Sequence, residues 1–127
     1  MKILLSKPGL DGHDVGVKVL AHALIEAGFD VIYSGLRKSP EEIVKLAIDN
    51  QVDVIGLSIL SGTHEIITTR ITEEMKKNKL QIPLVVGGNI PAQDVELLMK
   101  LGPKAVFPTG TRVDDVVSFF LEMKNSK

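Results

Sequence analysis

Three glycines, two carboxylates and a histidine fall within the ten residues Lys7-Pro8-Gly9-Leu10-Asp11-Gly12-His13-Asp14-Val15-Gly16, a concentration of chemistry that core packing does not require. Asp11 stands two residues before His13, close enough in a loop to accept the proton of one imidazole nitrogen and leave the other as a directed lone pair. Such a pair makes a general base or an oriented metal ligand, and a hydrogen-bonded structural histidine carries the same signature. General-base chemistry also wants a nucleophile or an acidic substrate proton with an anion-stabilising set nearby, and only serines without visible activation are present. Ligation needs the histidine alone if the metal arrives already chelated.

Small residues recur at two further places, Ser58-Ile59-Leu60-Ser61-Gly62 and Gly87-Gly88-Asn89. The Gly9, Gly12, Gly16 spacing is that of neither the dinucleotide fingerprint nor the phosphate-binding P-loop. His22 flanks an apolar helical stripe and reads as structural or surface-exposed. His64 opens a helical segment near the same glycine-rich face and is a candidate for touching ligand or partner. The run Lys76-Lys77-Asn78-Lys79 reads as a solvated helix end favourable to the helix dipole. With three histidines and no cysteine, a zinc site built from protein alone would need carboxylates at no recognisable spacing.

The elements that must position these residues follow a βαβα rhythm. Five β-rich runs, Ile3–Leu5, Asp30–Tyr33, Val52–Ser58, Ile82–Val86 and Ala105–Phe107, alternate with helical segments, and the inner runs are almost continuously apolar, as parallel strands covered on both faces are. Val17, Leu20, Ala21, Leu24 and Ile25 form one helical stripe, with Gly28 placed for a left-handed cap. Ser39-Pro40-Glu41-Glu42 carries an N-cap, a first-turn proline and a capping-box glutamate. Further helices are predicted from about Thr63 to Lys79, after Pro91 to near Gly102, and from Thr111. This predicts an α/β, flavodoxin-like (Rossmann-like), doubly wound five-stranded parallel sheet of order 2-1-3-4-5 in a single domain spanning 1–127. Ligands of such sheets bind outside the carboxyl ends of the strands, where the small residues gather and imply a slot. A phospho-receiver domain shares the topology, but its acceptor aspartate belongs where this chain has Leu57-Ser58-Ile59-Leu60.

Composition narrows the class. Fifteen basic against sixteen acidic residues leave a net charge of -1, so no field draws the chain to nucleic acid or anionic lipid. No apolar stretch approaches the ~20 residues that span a bilayer. The absence of cysteine suits a reducing cytoplasm, and a chain of 127 residues buries enough surface to fold without staples.

Asp11-Gly12-His13-Asp14-Val15-Gly16 matches D-x-H-x-x-G, Ser58-Ile59-Leu60 matches S-x-L, and Gly87-Gly88 matches G-G. Taken together the chain resembles cobalamin-binding domains that hold the cofactor base-off with histidine on cobalt. With Lys-Pro-Gly-Leu before the first motif, Asn89-Ile90-Pro91 and Gly110-Thr111-Arg112, it is most similar, over essentially its whole length, to the cobalamin domain of methylmalonyl-CoA mutase and its acyl-CoA mutase relatives. The resemblance implies that His13 ligates the cobalt of adenosylcobalamin, that Asp11 holds its other ring nitrogen and that Lys7 holds Asp11. It implies that Gly12, Asp14, Val15 and Gly16 shape the chain around the nucleotide tail, that Ser58 and Leu60 line the slot for the displaced base, and that Gly87 and Gly88 let the tail lie against backbone, with Thr109 and Gly110 also in contact. The family more often has a shorter Pro-Gly-Thr where this chain has Phe107-Pro108-Thr109-Gly110-Thr111.

No catalytic residue is expected on this chain. The resemblance implies a separate large subunit whose TIM barrel, roughly 250 residues in that class, holds the acyl-CoA, while the cofactor supplies the radical for a 1,2 carbon-skeleton exchange. Met1 falls at the first strand, which suggests a free-standing small subunit. The substrate is methylmalonyl-CoA on this reading, with isobutyryl- and 2-hydroxyisobutyryl-CoA as alternatives. A corrinoid carrier of a methyltransferase system uses the same motifs but would normally bring an N-terminal helical cap. A receiver-like binding module would need neither the glycines nor His13.

Overall fold

The apolar runs become a five-stranded sheet in a computed structural model that describes residues 1–8, 15–59 and 63–125. The strands are β1 (Lys2–Pro8), β2 (Asp30–Lys38), β3 (Val54–Ile59), β4 (Leu84–Gly88) and β5 (Ala105–Val106). All pair in parallel, in the order β2-β1-β3-β4-β5, the flavodoxin-like order that the sequence predicts. The helices are α1 (Val15–Glu26), α2 (Pro40–Asp49), α3 (His64–Lys77), α4 (Val95–Lys100) and α5 (Val113–Asn125).

Alternation along the strands sorts side chains into two cores. Leu4, Ile55, Leu57 and Val86 pack with Ile43, Ile71 and Leu98 of α2, α3 and α4. Ile3, Leu5, Val54 and Val85 pack with Val17 and Leu24 of α1 and Phe120 of α5. Each such fully buried side chain contributes about 1.5–3 kcal/mol of transfer free energy, so both layers are firmly held where strand side chains are large.

Local signals account for most boundaries. Gly28, at φ +98, ends α1 as its position predicts. The expected strand at Asp30–Tyr33 runs on to Lys38, past a register shift after Leu5 and Tyr33. Gly35, at φ +89, takes up the irregularity as only a residue without Cβ does readily. The expected strand Ile82–Val86 begins instead at Leu84, after Pro83, although the Pro83 carbonyl still accepts from Ile55 N–H at 3.1 Å. The helix expected after Pro91 is split into a 3-10 turn, Ala92–Asp94, and the six-residue α4. His22 is exposed and lies 3.0 Å from Glu26 one helical turn on.

At the start of α2 the Ser39 hydroxyl accepts from Glu42 N–H at 3.2 Å, and the Glu42 carboxylate accepts from Ser39 N–H at 3.0 Å. The Ser39 backbone and then its hydroxyl hold the Glu42 carboxyl below its ordinary value. Because the folded state favours the ionised form, this stabilisation is complete above the ordinary value of 4.5 and is lost as pH falls through the lowered one. Chemical denaturation should therefore show Glu42→Ala less stable than wild type at neutral pH. The gap should narrow as acid protonates the Glu42 carboxylate, whereas a pH-independent gap would contradict the capping box.

Candidate functional site

The sheet loses its side chains on one face just where the site is needed. Val54, Gly56 and Ser58 alternate toward the α1/α5 layer, and Gly87 lies on that face of β4, in register with Ser58. Large residues at 54 and 85 seat the helices at the amino end of the sheet. Glycine and serine at 56, 58 and 87 leave the layers apart at the carboxyl end. The result is a cavity of about 240 Å³ between sheet and helices. Its walls include Leu5, Leu20, Val116 and Phe120, with Ser58 supplying a hydroxyl and Gly16, Gly87, Gly88 and Gly110 supplying backbone. Phe107, another wall residue, packs edge-on against Phe119, which packs edge-on against Phe120. An apolar, aromatic-edged slot with the hydroxyl residues Ser58 and Thr111 on its wall suits a flat heteroaromatic group.

The four glycines act differently. A Cβ on Gly16 or Gly110 would meet nothing within 4 Å, and one on Gly87 would touch Phe107 at 3.6 Å. Gly88 has φ +117, and a Cβ there would lie 2.4 Å from the Ile59 carbonyl oxygen, so β3 and β4 meet backbone to backbone beneath the rim. Asn89 N–H donates to Ile59 O at 3.0 Å, Thr109 N–H to Ile90 O at 2.8 Å, and the Thr109 hydroxyl to Asn89 Oδ1 at 2.9 Å. The exits of β3, β4 and β5 are thereby laced together.

Of the residues expected at the site, Gly16, Ser58, Gly87, Gly88 and Gly110 are brought together around this cavity. Val15 is the first residue of α1. Thr109 belongs to the lacing and is not a wall residue. Lys7 is only 4% exposed at the carboxyl end of β1, and it is not without a partner. Asp11, Gly12, His13, Asp14 and Leu60 lie outside the described residues. His64 is buried, and its Nε2 donates to Asp94 Oδ2 at 2.8 Å. Sequence reasoning missed Gly56, Phe107 and Phe120 as wall residues. The signal for Gly56 was present, since a glycine inside an apolar strand marks a close approach or a missing wall. Among the described residues no His, Cys, Asp and Glu cluster could hold a metal ion, and no helix is long and apolar enough to cross a membrane.

A profile of the B12 binding domain matches residues 1–117. The chain belongs to the B12-binding domain family. It is 45% identical over 107 residues to the small subunit of 2-hydroxyisobutanoyl-CoA mutase from Aquincola tertiaricarbonis, covering 84% of this chain and 79% of that one. It is 42% identical over 127 residues to methylmalonyl-CoA mutase of Rhizobium meliloti, covering 99% of this chain and 18% of the mutase. The chain thus spans less than a fifth of the length of several curated relatives that it matches. A cobalamin-binding protein from Desulfitobacterium hafniense shares the fold, with a TM-score of 0.82 at 20% identity over 95% of this chain and 57% of that one. This chain is thus a cobalamin-binding domain related in sequence to acyl-CoA mutases.

The contrast between adjacent glycines tests the slot. Gly87→Leu places its side chain in the cavity, and should leave the melting temperature within a few degrees of wild type while abolishing cobalamin binding in a visible-absorbance titration. Gly88→Ala should cost about 2 kcal/mol or more, from the left-handed backbone and the clash with Ile59. An unchanged denaturation midpoint for Gly88→Ala, or undiminished binding by Gly87→Leu, would contradict this geometry.

Proposed function

We propose that the chain is the cobalamin-carrying small subunit of an adenosylcobalamin-dependent acyl-CoA mutase, acting with a large catalytic subunit whose TIM barrel holds the acyl-CoA. The observation that carries this reading is the slot itself. It is apolar, aromatic-edged and glycine-walled, it sits at the carboxyl ends of β3 and β4, and it is shaped for the displaced heteroaromatic base of a base-off cofactor. Ser58 offers that base its hydroxyl, while Gly87 and Gly88 let the nucleotide tail lie against backbone. Mutual coverage with the 2-hydroxyisobutanoyl-CoA mutase small subunit, 84% and 79%, supports the small-subunit role.

His13 is the axial ligand in this proposal, with Asp11 on its second ring nitrogen and Lys7 on Asp11. Two features support that assignment. Both other histidines already have carboxylate partners, Glu26 for His22 and Asp94 for His64. A buried ammonium at Lys7 also calls for a polar or anionic neighbour at the carboxyl end of β1. When bound, adenosylcobalamin supplies a homolysable cobalt–carbon bond and hence radical chemistry. The chain's residues bind the tail, aim the imidazole and fix its tautomer. Substrate choice rests with the partner, and methylmalonyl-CoA is the first acyl-CoA to assay.

The test is the visible spectrum of the chain mixed with adenosylcobalamin, alone and with its catalytic subunit. Wild type should give a base-off spectrum with histidine on cobalt. His13→Ala should lose the histidine signature, and Asp11→Asn should weaken binding or activity about 10–100-fold. A spectrum indifferent to His13→Ala in the assembled complex would overturn the ligation.

A further inference from the structure

We propose that the buried His64–Asp94 pair is a positioning clamp for the tail slot, holding the start of α3 against the segment that follows β4; this rests on the cobalamin reading above. His64 is 8% exposed, so its ring is not offered to a ligand at the surface. Its Nε2–H···Oδ2 contact with Asp94 is 2.8 Å long. The other ring nitrogen, Nδ1, is buried and has no hydrogen-bond partner among the described residues. A buried ring nitrogen left in that state costs free energy that an apolar side chain of similar size would avoid. The polar bond to Asp94 is what the residue offers in return.

The position of the pair gives that bond a use. Ser58 and Gly87, side by side on the sheet wall of the slot, lie just before a first tie, in which Asn89 N–H donates to Ile59 O at 3.0 Å. His64 follows Ile59 by five positions and Asp94 follows Asn89 by five, so the two segments that leave β3 and β4 are joined at their roots and joined again at His64–Asp94. Two ties limit how far the ends of β3 and β4, which carry Ser58, Gly87 and Gly88 of the slot wall, can part, and a wall fixed before binding spares the ligand the ordering cost. Asp94 is also where the 3-10 turn gives way to α4, so the clamp sets the start of one helix against the start of the next. His64 therefore acts through Asp94 and the two segments without touching the cofactor.

The clamp makes a prediction that general stabilisation does not. It should matter for a corrinoid that carries a nucleotide tail and be immaterial for one that lacks it. Adenosylcobalamin and adenosylcobinamide would be titrated by visible absorbance against wild type, His64→Leu, Asp94→Ala and His64→Gln, with thermal melts by circular dichroism. His64→Leu and Asp94→Ala should weaken cobalamin about tenfold and leave cobinamide unchanged. His64→Gln, whose side-chain amide can still donate to Asp94, should recover most of the loss. Equal weakening of both corrinoids, or of neither, overturns the clamp. If His64→Leu does not fold, Asp94→Ala and the glutamine variant still decide. Failure of the cobalamin reading itself would appear in wild type alone, as no preference for cobalamin over cobinamide.

Discussion

The register of two neighbouring strands governs the rest of this molecule. β3 and β4 pair in parallel with Ser58 beside Gly87 and Ile59 beside Gly88, and their side chains alternate between two helical layers. On the α2, α3 and α4 side the alternation delivers Ile55, Leu57 and Val86 without a break, and that core closes. On the α1/α5 side it delivers Val54 and Val85 first, then Gly56, Ser58 and Gly87, so the second core closes at one end of the sheet only. A shift of one residue in either strand would send the small residues into the closed layer and large apolar side chains into the slot. The left-handed Gly88 and its contact with Ile59 help hold the register, because no other residue type permits that approach.

The proposed cobalamin role is compatible with a chain that has no cysteine. The residues around the slot provide shape, the hydroxyl residues Ser58 and Thr111, and backbone, the properties a protein contributes when the reactive centre belongs to a cofactor. In that proposal a metal already chelated by a corrin would ask the chain for a single nitrogen. The near-zero net charge fits a ligand held mainly by burial and amide contacts.

Much of this was legible in the sequence because local chemistry and the global fold agree. The continuous apolar runs, the Ser39 capping box and the Gly28 cap predicted strands, helices and order, and the three short motifs marked which strand ends to inspect. The sequence was less informative where tertiary contact decides. Nothing local predicts that β2 continues past Tyr33, since that depends on pairing with β1 and on a bulge at Gly35. The helix after Pro91 reads as one segment, whereas its first turn is 3-10 and carries the aspartate that meets His64. The wall residues Phe107 and Phe120 look like ordinary core, because periodicity locates a face without saying whether that face is filled. His64, expected as a possible contact, is instead buried against a residue thirty positions away, a pairing that only the fold brings about.

The unequal cores also have a mechanical meaning. A layer packed along its whole length opens only when the domain unfolds, but a layer with a hollow end can part locally at lower free energy. The α1/α5 layer is therefore the compliant side of the molecule, and a cofactor tail filling the hollow would couple that layer to the sheet. Occupancy of the slot would then tune stiffness, so that the loaded domain presents a more rigid surface than the empty one.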